Sequence, residues 1–141
     1  MGIRTVKGVL TGMQGKISFD ESNLKNSSFD VCVGAWSINT ENEKRDYHLK
    51  NSDFFDVINF PNICFKSTSI SKTNNGFKAI GKLSMHGITL ETKLPFTYSN
   101  GIFKGDFELE RLDYKIGENY GGFLIGKTVE IKITCVLITS I

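Results

Sequence analysis

The chain is poor in the residues that build metal sites and disulfide-stapled domains. Its 141 residues include two histidines, three cysteines, two prolines and one tryptophan. The cysteines, Cys32, Cys64 and Cys135, are odd in number and widely spaced, so they form no CxxC pair and no disulfide framework. We expect them to be buried free thiols that behave as small hydrophobic side chains. Neither histidine has a cysteine or an acidic residue at ligand spacing, which argues against a metal site.

Charge and hydropathy exclude further classes of protein. The formal net charge is +2 and there is no block of lysine or arginine, which argues against a nucleic acid or an anionic membrane as the partner. No apolar run approaches the length of a membrane span. The opening residues, MGIRTVKGVL, lack the apolar core of a signal peptide. With 40% hydrophobic and 23% charged residues, the composition is typical of one globular domain over residues 1–141.

Apolar and polar residues alternate along most of the chain, which is the pattern of β-strands with one buried face. In SFDVCVG, for example, Phe29, Val31 and Val33 share a face. Short turn sequences between residues 62 and 109 predict a meander of hairpins. Strands of this kind form a sandwich or a closed barrel when there are eight of them. The eight predicted strands cover residues 3–11, 15–20, 28–38, 62–70, 76–85, 88–98, 101–109 and 128–140.

One short helix is predicted in the long connection between the third and fourth strands. Thr40 and Glu43 fit a capping box, in which each side chain binds the other residue's backbone amide. Tyr47 and Leu49 are expected to face the core. Asn51 is expected to take the left-handed conformation that ends many helices.

The strand pattern alone leaves open what fills the barrel. An eight-stranded barrel encloses either a packed core or one small ligand. A ligand would be apolar because the inward residues are, and each five-carbon isoprene unit would contribute about 3–4 kcal/mol at most. The predicted lumen wall consists of inward-facing strand residues: Phe19, Phe29, Val31, Val33, Phe65, Phe77, Leu83, Leu90, Leu94, Phe96, Phe103, Phe107, Ile131 and Ile133.

The segment from residue 37 to residue 67 carries a dense motif. It contains SINT at 37, RDYHL at 45, DFFDV at 53 and FPNICFKS at 60. These elements resemble, almost residue for residue, the signature of the YceI-like family. The later segments GKLSMHGITLETKLPFTY and FELERLDYKIG also resemble elements of that family, so the resemblance extends from residue 8 to about residue 135.

The resemblance implies a lipocalin-like, eight-stranded antiparallel β-barrel with one short crossover helix and an elongated apolar lumen. Family members bind long amphipathic lipids there, such as polyprenyl diphosphates and quinones, and are generally not known as enzymes. Many are periplasmic or secreted. We therefore expect a protein of the periplasm or the cell exterior that carries or sequesters such a lipid, with no other cofactor and no metal.

The resemblance also implies that a strand is missing at the start of the chain. The family pattern has a strand of the form His-Ser-x-Val-x-Phe-x-Val before the segment that corresponds to GIRTVKGVLTG. Without that strand, an edge beside residues 3–11 is open to strand exchange, and a homodimer through this edge is expected.

Arg45 and His48 lie three residues apart and therefore share one face of the predicted helix. They either meet the ligand's head group at the barrel mouth, where arginine suits a phosphate, or lock the crossover, with Arg45 paired to Asp53 or Asp56. We favour the lock because buried polar groups at such a corner need partners. Two rival hypotheses are an enzyme that uses Arg45, Asp46 and His48 on a lipid head group, and a filled barrel that binds proteins through an edge strand.

Overall fold

Eight strands form a single sheet that curls into a half-barrel. The computed structural model describes residues 5–119 and 127–136. The strands are β1 (Thr5–Leu10), β2 (Gln14–Ser18), β3 (Ser28–Gly34), β4 (Asn62–Lys72), β5 (Phe77–Met85), β6 (Ile88–Ser99), β7 (Ile102–Glu110) and β8 (Thr128–Val136), and the helix is α1 (Glu43–Lys50). Short 3₁₀ turns cover Leu24–Asn26, Ala35–Ser37 and Arg111–Tyr114. The predicted all-β fold with one crossover helix is confirmed.

The order of strands in the sheet explains its curl. The order is β1-β8-β7-β6-β5-β4-β3-β2, so the first two strands of the chain form the two edges. Only Thr11, Gly12 and Met13 join them, and a connection of this length spans at most about 14 Å. The sheet must therefore bend back until its edges lie close together, and the gap in its wall lies between β1 and β2.

The pairing of β1 with β8 corrects one prediction. These strands run parallel, with Thr5 opposite Thr128 and Leu10 opposite Ile133. The other six pairings among the described strands are antiparallel. An entirely antiparallel barrel was therefore wrong for one pair, because alternation of side chains indicates which face is buried and does not indicate strand direction.

The buried residues of each strand lie on the concave face. In β5 all the residues at odd positions are buried, from Phe77 through Ala79, Gly81 and Leu83 to Met85. Such a strict period of two is expected where one face of a sheet packs on the core and the other meets solvent.

Strand β4 breaks this alternation. The register shifts by one residue between Ser67 and Ser69, and the Thr68 hydroxyl donates a hydrogen bond to the carbonyl oxygen of Ile80 at 3.0 Å. Strict alternation of side chains along β4 would place Ser69 on the concave face. The bulge instead buries Ile70, with 7% of its surface exposed, and so keeps the concave face apolar.

The start of α1 differs from the prediction. Asn42 is the capping residue, and its side-chain oxygen accepts a hydrogen bond from the Arg45 amide at 2.9 Å. The predicted capping box of Thr40 and Glu43 is wrong. The Thr40 hydroxyl donates to the Asp46 carboxylate instead, and a hydroxyl in that position is not available to cap the helix.

The outer face and end of α1 also differ. Tyr47 was expected to pack inward, but 79% of its surface is exposed; Leu49 does pack against the core. Asn51 has φ −81° and ψ 179°, which is extended and not left-handed. Its side chain accepts a hydrogen bond from the Asp53 amide at 2.9 Å, which explains this conformation. In the crossover, positive φ values occur instead at Glu41, with 61°, and at Asp56, with 51°.

Cys32 and Cys64 form a disulfide, contrary to the prediction of free thiols. They face each other across β3 and β4 in the sheet register. Because the residues on either side of each cysteine are buried on the concave face, both cysteines point to the convex face. Cys135 is the free cysteine.

Candidate functional site

An apolar cavity of about 70 Å³ lies inside the half-barrel. Every residue that lines it is apolar. The lining residues are Met13, Ile17, Phe29, Val31, Phe65, Leu94, Phe96, Phe103, Gly105, Ile133 and Cys135. A second cavity, of about 30 Å³, lies toward the end of β3 that leads into the crossover. Met13, Val31, Phe65, Leu94 and Ile133 line both cavities, which are therefore neighbouring parts of one lumen.

Most of the predicted wall residues border this lumen. Eleven of the fourteen line one or both cavities: Phe29, Val31, Val33, Phe65, Leu83, Leu94, Phe96, Phe103, Phe107, Ile131 and Ile133. Phe19, Phe77 and Leu90 do not line either cavity. The alternation of the strands is what brings the eleven together on one concave surface.

Phe19 and Phe77 belong to an aromatic cluster that closes one end of the lumen. Phe19 follows β2 directly, and its ring centroid lies 5.1 Å from that of Phe77, 4.9 Å from Tyr98 and 5.2 Å from Phe103. The contacts with Phe77 and Phe103 are edge-to-face, an arrangement that stabilises aromatic pairs beyond simple burial. These rings form an apolar end wall beneath the cavity.

The crossover and the turn after β7 supply buried residues at the opposite end. Phe54 and Phe55 are buried, with 1% and 4% of their surfaces exposed. Arg111 is also buried, and its Nη1 donates hydrogen bonds to the carbonyl oxygens of Ile116 at 3.0 Å and Gly117 at 2.7 Å. Burial lowers the pKa of the Arg111 guanidinium from its ordinary value, but a guanidinium starts so far above neutrality that it stays charged.

Arg45 forms a lock, although with a different partner from the one predicted. Its Nε donates to the Thr40 hydroxyl at 2.8 Å and its Nη2 donates to the Thr40 carbonyl oxygen at 2.7 Å. The Asp46 carboxylate accepts hydrogen bonds from the Thr40 amide, at 3.0 Å, and from the Thr40 hydroxyl. The predicted partners, Asp53 and Asp56, are wrong. Two consecutive residues of α1, Arg45 and Asp46, therefore anchor the helix to the preceding segment at Thr40.

His48 lies on the inner side of the crossover. Its Nε2 is 3.6 Å from Asp53 Oδ2, and its ring packs edge-on against Phe54 with centroids 4.8 Å apart. Neither His48 nor Arg45 lines the lumen cavities. A head-group contact by these two residues therefore stays a prediction.

Four residues that line the larger cavity were not in the predicted wall. Met13 lies in the turn between β1 and β2, where no periodic signal exists, and Ile17 was assigned to a strand face without being assigned to the wall. Gly105 and Cys135 lie on inward faces by alternation, but the predicted wall included only larger apolar residues. Burial raises the pKa of the Cys135 thiol, so little of it is thiolate near neutral pH and its alkylation is slow there.

Over residues 5–119 and 127–136, no group of three or more histidine, cysteine, aspartate or glutamate side chains is arranged to hold a metal ion. Over the same residues, no helix has the length and apolar character needed to cross a membrane.

Sequence comparisons point to one family. The family model described as YceI-like domain matches residues 1–137. A UPF0312 protein of Yersinia pestis (strain Pestoides F) is 32% identical over 98 residues, which is 67% of this chain and 51% of that protein. A UPF0312 protein of Yersinia enterocolitica has the same identity and coverage. The chain thus spans about half the length of the curated relatives it matches.

Solved structures resemble the fold. The YCEI protein of Campylobacter jejuni superposes with a TM-score of 0.80 at 23% identity, covering 100% of this chain and 89% of that one. BcnA of Burkholderia cenocepacia superposes with a TM-score of 0.74 at 22% identity, covering 86% of this chain and 80% of that one. At these identities the likeness concerns the lipocalin-like fold.

Proposed function

The chain belongs to the YceI-like family, and we propose that it binds a long isoprenoid-like lipid, a polyprenyl diphosphate or a quinone, in the lumen and carries or sequesters it. The observation that carries this proposal is a cavity lined without exception by apolar residues. Such a wall offers no hydrogen bond to a polar ligand, while burial of a hydrocarbon contributes about 0.8 kcal/mol per CH₂.

The lumen must widen to accept such a lipid. An apolar cavity of about 150 Å³ takes one benzene-sized molecule, and the larger cavity here is about 70 Å³. Met13 and Leu94 line both cavities. Met13 has an adaptable side chain and lies in the turn that joins the two edge strands. Its displacement would join the cavities at the gap in the wall.

The proposed role assigns no chemical step to the protein. The enzyme hypothesis depended on Arg45, Asp46 and His48. Arg45 and Asp46 both bind Thr40, which favours a structural role for them over a catalytic one.

We propose that the protein is located in the periplasm or outside the cell. The Cys32–Cys64 disulfide supports this placement, because structural disulfides persist in oxidising compartments and are rare in the cytosol.

An interaction module is the second candidate. Among the described residues, β2 pairs with β3 along one edge and with no strand along the other. An open edge of this kind accepts a strand from another chain, so a homodimer through β2 is the form that this candidate takes.

Native mass spectrometry of protein purified from cells, followed by organic extraction, tests the proposal. The expected result is a stoichiometric adduct whose fragments are spaced by isoprene units. A bare protein mass that persists after incubation with a long-chain isoprenoid, together with a concentration-dependent dimer, would favour the interaction module instead.

A further inference from the structure

The wall of the half-barrel is split between β6 and β7. The two strands pair only from Phe96 to Ser99 on β6, opposite Ile102 to Gly105 on β7. Beyond that point, within the described residues, β6 pairs with β5 alone and β7 with β8 alone. Pro95 stands where the pairing stops, and it has no amide hydrogen to donate to a ladder.

The split lies alongside the lumen. Its β6 side presents Leu90, Thr92 and Leu94, which share the inward face with Phe96. Leu94 lines both cavities, whereas Leu90 is 37% exposed. Thr92 lies between them and is the polar position on a path that is otherwise apolar.

Tyr114 lies against this path. Its side chain is buried, with 3% of its surface exposed, and its hydroxyl is 3.5 Å from Thr92 Oγ1. Its carbonyl oxygen is held by His86 Nδ1 at 2.8 Å, which fixes the turn Arg111–Tyr114 beside the start of β6. A separation of 3.5 Å is at the limit for two hydroxyls, whose usual distance is about 2.7–2.8 Å. Because Thr92 Oγ1 also donates a hydrogen bond to the Leu90 carbonyl oxygen at 3.3 Å, the Tyr114 hydroxyl is the donor in this pair. The Tyr114 hydroxyl can exchange its long contact with Thr92 for a better bond to a third oxygen.

The charge of the groups at this position favours an uncharged partner. Two hydroxyls supply a donor and an acceptor and no charge. Burial raises the pKa of the Tyr114 phenol, so it stays protonated and able to donate. A buried phosphate needs cations to offset its desolvation. The Nη1 of Arg111, three residues before Tyr114, is directed at the carbonyl oxygens of Ile116 and Gly117.

Resting on the lipid-binding function proposed above, we propose that Thr92 and Tyr114 form a subsite for the uncharged oxygen at the end of the lipid, a hydroxyl or a carbonyl. The hydrocarbon chain then extends past Leu94 into the lumen, and the split between β6 and β7 is its mouth. This assignment selects a prenol or a quinone over a polyprenyl diphosphate.

Equilibrium dialysis with three probes of equal chain length tests the subsite: geranylgeraniol, geranylgeranyl diphosphate and the corresponding hydrocarbon without a hydroxyl. The variants are Tyr114→Phe and Thr92→Val. Tyr47→Phe is the matched control, because Tyr47 is an exposed tyrosine of α1 that lines neither cavity. Loss of one hydrogen bond lowers affinity by about fivefold.

We expect the alcohol to bind more tightly than the diphosphate, and each of the two variants to weaken the alcohol by about fivefold without changing the hydrocarbon. Tyr47→Phe should leave all three affinities unchanged. Equal losses for alcohol and hydrocarbon, no loss for the alcohol, or tighter binding of the diphosphate would overturn the subsite while lipid binding stands. Binding of none of the probes to the unmodified protein would overturn both proposals.

Discussion

Arg45 binds Thr40 twice, through Nε to the hydroxyl at 2.8 Å and through Nη2 to the carbonyl oxygen at 2.7 Å. Since the Asp46 carboxylate also binds the Thr40 amide and hydroxyl, the most distinctive part of the sequence motif serves to hold the crossover in place. Arg45 and Asp46, which are residue types common in catalytic sites, thus have a structural role. The lumen is lined by apolar side chains.

Thr40→Val should destabilise the protein. The substitution keeps the shape of the side chain and removes the hydroxyl that accepts from Arg45 and donates to Asp46. Thr40 is buried, whereas Arg45 is exposed and Asp46 is half-buried. Water therefore replaces part of the lost bonding, and the expected cost is about 1 kcal/mol, which urea unfolding will measure. Thr134→Val, at an exposed position of β8, is the control. Equal stability of the two variants would refute the lock.

Reduction of the disulfide should also destabilise the protein. Cys32 and Cys64 are separated by 32 residues, and a cross-link closing a loop of this size contributes about 2–4 kcal/mol. The double variant Cys32→Ala with Cys64→Ala should therefore unfold at lower urea concentration, and reductant should affect the parent protein and not the variant. Thiol titration of the denatured parent without reductant should give one free thiol, and three would contradict the bond.

The strands and their buried faces were largely predictable, because they depend on local sequence pattern. The pairing of strands and of cysteines was less predictable. Eight strands follow from alternation. The crossover helix was predicted from a capping box of Thr40 and Glu43 that the structure does not contain, so its place in the chain was right and its cap was wrong. The disulfide does not follow from the sequence pattern, because Cys32 and Cys64 lie on either side of a long connection whose length leaves the register of β3 and β4 undetermined. The direction of β1 cannot be predicted from the pattern either, because a period of two is common to parallel and antiparallel strands.

The lumen residues that lie in strands were predictable, and the residues that reach the lumen from turns were not. Alternation identifies Val31, Phe65 and Ile133 as inward-facing. It says nothing about Met13, which lies in a turn, or about Tyr114, which reaches the site from a 3₁₀ turn after β7. Their roles depend on the curl of the sheet and on the point at which β6 leaves β7, and both are tertiary properties.

Stability should fall at alkaline pH partly because of Tyr114. Burial raises the pKa of its phenol above the ordinary value of 10.0, so on raising the pH the unfolded chain loses this proton before the folded protein does. The contribution is present below about pH 10 and is lost as the pH rises toward the folded pKa. Urea unfolding from about pH 8 to about pH 11 should show a shallower decline for Tyr114→Phe. An equally steep decline would refute this linkage.

Filling the lumen should abolish binding without unfolding the protein. Cys135→Leu adds carbon atoms at the cavity wall, and a side chain that occupies free space is tolerated better than one forced into a packed core. We expect lipid affinity to fall by at least about tenfold, a loss of about 1.4 kcal/mol, with stability nearly unchanged. Thr134→Leu, the neighbouring position on the opposite face, should bind lipid normally. The same affinity in both variants would show that the lipid lies elsewhere.

The most direct test of the lumen as the lipid site uses Cys135 itself, the free cysteine that lines the cavity. The rate of its alkylation by N-ethylmaleimide is measured while geranylgeraniol is titrated, with the double variant Thr134→Cys, Cys135→Ser carrying its thiol on the outer face as the control. A lipid in the lumen predicts saturable protection of Cys135, with half-protection at the dissociation constant, and no protection of the control. Saturable binding that leaves the alkylation of Cys135 unchanged would contradict the account.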